Sequence, residues 1–155
     1  MAADPGGHPP RIVAGVDGSP TSMAALHWAV SQARRTGGTV DAVIAWQFPA
    51  TGNFGWAPVS GLDDLDFEAA AKQTLDEAIG SLGDEAAGVA VRPVVVPGLA
   101  AQVLLDAAEG ADLLVVGSRG HGGFADALLG SVSQHCVHHA SCPVVVMRGQ
   151  EQASG

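Results

Sequence analysis

The sequence has few cysteines, few basic residues and no long apolar run, and each shortage closes off a class of protein. Two cysteines in 155 residues are too few for a disulfide scaffold and point to a reducing, cytoplasmic compartment. Seven basic residues stand against sixteen acidic ones, a formal net charge of −9 at pH 7. General nucleic-acid binders and proteins that dock on anionic membranes need a basic footprint. Neither nucleic acid nor membrane is therefore expected as a partner. Net charge does not exclude a small anion held by backbone amides. The longest apolar runs span about five residues, against roughly 20 for a bilayer-crossing helix. The opening MAADPGGHPPR has no basic flank leading into an apolar stretch, so it does not read as a secretory signal.

What is present is the composition of a chain that folds around a core, 47% hydrophobic and 15% charged. At this length one domain is the default, and roughly 70% of the unfolded surface can be buried. Residues 1–10 carry three prolines, two glycines and no apolar period, and are expected to be a mobile tail. Residues 149–155, GQEQASG, have the same character. The folded domain is expected over 11–148.

Within it, strand-like and helix-like segments alternate. RIVAGV at 11–16 reads as a strand ending in the turn Asp17-Gly18-Ser19. A capping hydroxyl at Ser19 and proline at the first helical position, Pro20, open a helix to about Thr36. Ala25, Leu26, Ala29, Val30 and Ala33 recur at helical spacing, and Gly37-Gly38 ends it. TVDAVIAW at 39–46 is a second strand. A long loop over 47–62 precedes an alanine-rich helix from Asp63 to about Ala87. Residues 63–85 hold eight acids and one lysine, Lys72, the pattern of a solvated helix face. Val89 to Val96 is a third strand, placed at an edge by Pro93, which has no N–H for an interior ladder. A short helix over 99–109, the strand DLLVV at 112–116, a helix from Ser131 to about Ala140 and the strand PVVVM at 143–147 complete the series.

Apolar strands separated by helices imply a doubly wound, five-stranded parallel sheet with helices on both faces. The expected strand order is 3-2-1-4-5. That order puts the topological switch between the first and fourth strands, where such folds hold ligands at the carboxyl ends. Val16-Asp17-Gly18-Ser19 follows the first strand. Gly117-Ser118-Arg119-Gly120-His121-Gly122-Gly123, then Gly130-Ser131-Val132-Ser133, follow the fourth. Glycines let backbone approach a ligand, successive amides form an anion nest, and a helix beginning at Ser131 offers unpaired N–H groups. The chemistry is that of a phosphate cradle. Arg119, the only Lys or Arg between Arg92 and Arg148, is a candidate phosphate partner.

The spacing Gly117-x2-Gly120-x9-Gly130-Ser131, with the VDGS turn and the closing CPVVVM strand, resembles the ATP-binding universal stress proteins over residues 11–148. The resemblance implies a Rossmann-like fold of the adenine nucleotide alpha hydrolase-like type. It implies a nucleotide-dependent regulator of the stress response that is at most a slow ATPase. By that resemblance Asp17 would accept a ribose hydroxyl, Gly15 and Val16 would line the adenine side, and the backbone of Ala45 would read the adenine edge. Gly117 and Gly120 would let backbone approach ribose and phosphate. Gly130, Ser131, Val132 and Ser133 would bind phosphates, with Mg²⁺ bridging them. A homodimer pairing residues 143–147 is also implied. A nucleotide-free dimeric scaffold and a cyclic AMP binder are the alternatives. No Walker-type lysine loop is present. The turn VDGSPTS also lacks the glycine pair of SGGxDS-type pyrophosphatases.

Other residues carry plainer readings. Asp17 could serve only to shape the turn before the first helix. His135 and His139 lie four apart, a spacing that can bind zinc. No Glu stands at 136 and no further ligand is evident, so a packed or surface helix is the expectation. Cys142 is expected to be buried, and Trp28 and Trp46 to belong to the core. Phe54 and Trp56 could cover a nucleotide or a dimer surface.

Overall fold

The structure is a computed structural model and describes residues 9–47, 66–118 and 130–148. The expectations for the two tails, for the loop with Phe54 and Trp56, and for Arg119 and Gly120 fall outside the described residues, apart from Pro9, Pro10, Gln47 and Arg148.

The chain runs β1 (Arg11–Gly15), α1 (Pro20–Thr36), β2 (Thr39–Trp46), α2 (Phe67–Gly80), a 3-10 turn (Gly83–Ala86), β3 (Val91–Pro97), α3 (Ala100–Ala107), β4 (Leu113–Gly117), α4 (Ser131–His139) and β5 (Val144–Met147). The five strands form one sheet in the order β3-β2-β1-β4-β5, and every pairing is parallel. Fold and strand order are those expected from the sequence, and Pro93 stands on an edge strand.

Local chemistry accounts for the ends of α1. The Ser19 hydroxyl accepts the Ser22 N–H at 3.3 Å, Pro20 takes the first helical position, and Gly37 closes the helix in the left-handed region at φ 75°. α2 is shorter than its alanine content suggests. Asp66 caps it, accepting from the Ala69 amide at 3.0 Å. It stops at Gly80, and Gly83 at φ 54° turns the chain so that Leu82, 2% exposed, enters the core. Burial of that leucine outweighs continuation of the helix.

The chain winds outward from β1 through β2 to β3, then crosses back to β4 and on to β5, so the helices divide between the faces of the sheet. α1 and α2 cover one face, packing Leu26, Val30, Leu75 and Ala78 on Ile12, Ala14, Val40, Ala42 and Val115. α3 and α4 cover the other, packing Val103, Leu104 and Cys136 on Val13, Val43, Leu114 and Val116. Trp28 and Trp46 are half-buried against the first cluster.

The amino ends of the strands are tied by charge. Asp41 of β2 is 5% exposed. Its Oδ2 accepts from Arg11 Nη1 at 3.0 Å and from Arg92 Nη2 at 2.9 Å. Arg11 also donates to the carbonyls of Ala107 and Glu109 at the end of α3, and its amide donates to Asp112. One buried carboxylate thus joins β1, β2 and β3, and through Arg11 reaches α3. Asp41→Ala should lower stability by about 2 kcal/mol in urea unfolding by leaving Arg11 without its buried partner. Arg92→Ala, removing a more exposed partner, should cost under about 1 kcal/mol. Equal losses would show that the two ion pairs are equivalent.

Candidate functional site

The carboxyl ends of β1, β2 and β4 form the opposite edge of the sheet. Most of the residues singled out in the sequence converge there. Beyond β1, the Val16 amide still donates to the Val43 carbonyl at 2.8 Å. The chain then turns at Asp17 and Gly18, and Gly18 adopts φ 84°. The exposed Asp17 accepts the Ser19 N–H on Oδ1 at 2.8 Å, and its own amide donates to Ser22 Oγ at 3.1 Å. The carboxylate therefore shapes the turn into α1. Ala45, near the end of β2, is half-buried and in register with Val96 of β3.

Gly117 ends β4. A Cβ there would stand 2.7 Å from the Thr21 carbonyl carbon and 2.8 Å from the Ser22 nitrogen, and would also strike Thr21 Oγ1. The first turn of α1 lies on this strand end, so glycine is required for packing even without a ligand. At Gly15 a Cβ would meet the tip of the Leu104 side chain at 2.8 Å.

α4 begins beyond residue 129 with Gly130 as its extended N-cap, and no side chain among the described residues caps it. Its first intrahelical bond runs from the Gln134 amide to the Gly130 carbonyl at 3.0 Å. The amides of Ser131, Val132 and Ser133 precede that bond and have no carbonyl within the helix. Together with the positive end of the helix dipole they can hold an anion. Ser131 is exposed and Val132 half-buried, while Ser133 is 2% exposed. The Ser133 hydroxyl donates to the Ser118 carbonyl at 3.0 Å and lies 3.2 Å from that of Gly130. Ser118 is a residue that pattern reasoning passed over. Its carbonyl also accepts the Gly130 N–H at 2.6 Å, and its amide donates to Met147 at 2.7 Å. A serine next to Gly117 was the only sequence signal.

The histidines of α4 lie on its exposed surface, with the His135 and His139 rings 4.5 Å apart and those of His138 and His139 6.4 Å apart. No group of three or more His, Cys, Asp or Glu side chains is placed to hold a metal among the described residues. Burial pushes the Cys136 thiol up to about 11. Cys142 is half-buried, and its thiol is raised chiefly by burial, with Arg11 opposing and Asp112 adding to the rise. Neither thiol has the lowered pKa of an activated nucleophile. No described helix is long and apolar enough to cross a membrane.

The domain is a parallel, doubly wound α/β fold, a class that takes ligands at the switch point, at the carboxyl ends of its strands. The universal stress protein family model matches residues 9–148, and the chain belongs to that family. Universal stress protein Rv1996 of Mycobacterium tuberculosis is 38% identical over 140 residues, covering 88% of this chain and 43% of its own length. The chain thus spans about half the length of such curated relatives. Among solved structures, the universal stress protein UspA from Lactobacillus plantarum superposes with a TM-score of 0.73 at 23% identity, covering 92% of this chain and 99% of its own. A universal stress protein in complex with cAMP superposes at 0.66 with 24% identity, covering 91% and 98%.

Gly117→Ala should destabilise the chain by about 2 kcal/mol in urea unfolding, because the added methyl meets helix backbone. Gly15→Ala meets only a side-chain tip and should cost roughly 1 kcal/mol. A tolerated Gly117→Ala would contradict the close packing of α1 on β4. Iodoacetamide at pH 8 should modify Cys142 ahead of Cys136. Folding keeps Cys136 protonated where the unfolded thiol ionises. Its stabilisation is therefore complete below pH 9 and is lost as pH rises toward 11. Rapid alkylation of Cys136 in the folded chain would contradict this burial.

Proposed function

We propose that the chain binds an adenine nucleotide, ATP with Mg²⁺ bridging its phosphates, at the carboxyl edge of the sheet. In this reading it serves as a cytoplasmic, nucleotide-dependent regulator of the stress response that hydrolyses ATP at most slowly. The observation that carries this reading is the uncapped start of α4, whose Ser131, Val132 and Ser133 amides stand at the switch point. The base would lie along Gly15, Val16 and the backbone of Ala45, and Asp17 would accept a ribose hydroxyl. The phosphates would reach Gly130, the three amides and the Ser131 hydroxyl. Gly117 lets the strand end lie close, and Arg119 and Gly120 enter on the motif spacing alone. Mg²⁺ held by phosphates and water needs no protein cage. Dimerisation through residues 143–147 belongs to the same reading. β5 is an edge strand whose four residues are half-buried, and an edge invites pairing.

Cyclic AMP is the second reading, favoured by the structural neighbour solved with it. Calorimetry with ATP, ADP, AMP and cyclic AMP, each with Mg²⁺ and with EDTA, on nucleotide-stripped protein separates the two. Affinity rising with phosphate count supports ATP. Preference for the cyclic diester supports cyclic AMP, and absence of binding to all four supports the nucleotide-free scaffold.

Ser131→Asp supplies a sharper test. A carboxylate in the first turn favours the helix dipole but repels phosphate. The variant should be at least as stable as the parent and bind ATP at least about ten-fold more weakly, with adenosine affinity unchanged. Undiminished ATP affinity would place the phosphates elsewhere.

A further inference from the structure

We propose that Ser133 is a positioning residue. Its buried hydroxyl latches the start of α4 to the end of β4, fixing the amides that would receive phosphate, and is not itself a phosphate donor. This rests on the nucleotide reading above. A serine hydroxyl has one proton to give. The nearest acceptors of Ser133 are two carbonyls, Ser118 at 3.0 Å and Gly130 at 3.2 Å, in a site with 2% exposure. A buried hydroxyl without such partners would be costly, so the proton is committed inward.

The receiving carbonyl is well anchored. Ser118 is 4% exposed, and its amide donates to the Met147 carbonyl at the end of β5. The Ser118 oxygen has two lone pairs and takes two donors, the Gly130 N–H and the Ser133 hydroxyl. The Gly130 bond holds only the cap residue, which lies outside the helix proper. The Ser133 bond holds the first turn itself, on the residue whose amide completes the open set. Two bonds to one carbonyl define a direction as well as a distance, and amides bind an anion well only when held in place beforehand.

The test compares Ser133→Ala and Ser133→Thr with the unaltered full chain by two measurements. One is amide hydrogen exchange at Gly130 without nucleotide; the other is calorimetric affinity for ATP and adenosine. In the alanine variant Gly130 exchange should accelerate about ten-fold. ATP affinity should fall about ten-fold, and adenosine affinity should hold within two-fold. Threonine, which keeps the hydroxyl, should restore both. Unchanged Gly130 exchange with weaker ATP binding would mean that the hydroxyl contacts phosphate directly, overturning the latch. Faster exchange with unchanged ATP affinity would reduce the bond to a structural one and overturn the positioning role. If the alanine variant does not fold, Ser133→Cys, a weaker donor of similar shape, takes its place with the same expected direction. Failure of the unaltered chain to bind any adenine nucleotide would overturn the functional reading. Gly130 exchange still decides the latch by itself, so the two failures are distinguishable.

Discussion

The reversal of strand order at β1 is the constraint on which the rest of the structure depends. β2 and β4 pair on opposite sides of β1, and right-handed crossovers then send α1 and α2 to one face and α3 and α4 to the other. The two glycines at the ends of β1 and β4 let helices pack closely on the sheet from opposite faces. Gly117 admits the first turn of α1, and Gly15 admits Leu104 of α3. Glycines that read in the sequence as ligand-approach positions serve helix packing in the fold.

The two ends of the sheet are built from different chemistry. At the amino end, two arginine side chains converge on the single carboxylate of Asp41. At the carboxyl end, backbone groups predominate: the α4 amides, the Ser118 carbonyl and the turn around Asp17. A chain of net charge −9 would repel a polyphosphate at long range. Amides oriented by a helix act at contact distance, where the longer-range field is screened.

Much of this was legible in the sequence wherever a local mechanism was spelled out by residue type. Ser19-Pro20 and Gly37 mark both ends of α1 because capping is local chemistry. Pro93 marks an edge strand because it lacks an N–H. The glycine spacing marked the carboxyl ends of β1 and β4 because strand order puts the residues that follow them side by side. The break in α2 was not legible, since it depends on Leu82 reaching a core made by distant segments. The contact of Gly117 with Thr21 and Ser22 is also tertiary, and periodicity carries no trace of it. For Ser133 the sequence supplied a hydroxyl at a helix start. Only the fold shows that it points inward, to Ser118, a residue with no pattern of its own. Arg119 and Gly120 stand on motif spacing.

The most direct test of a nucleotide site at the switch point is a titration of the isotopically labelled chain with Mg-ATP, following backbone amide chemical shifts. The largest shifts should fall at Gly15 to Asp17, Ala45, Gly117 and Gly130 to Ser133, while Arg11, Asp41, Arg92 and Asp112 at the other end of the sheet stay in place. Shifts concentrated at that amino end, or none at millimolar nucleotide, would contradict the account.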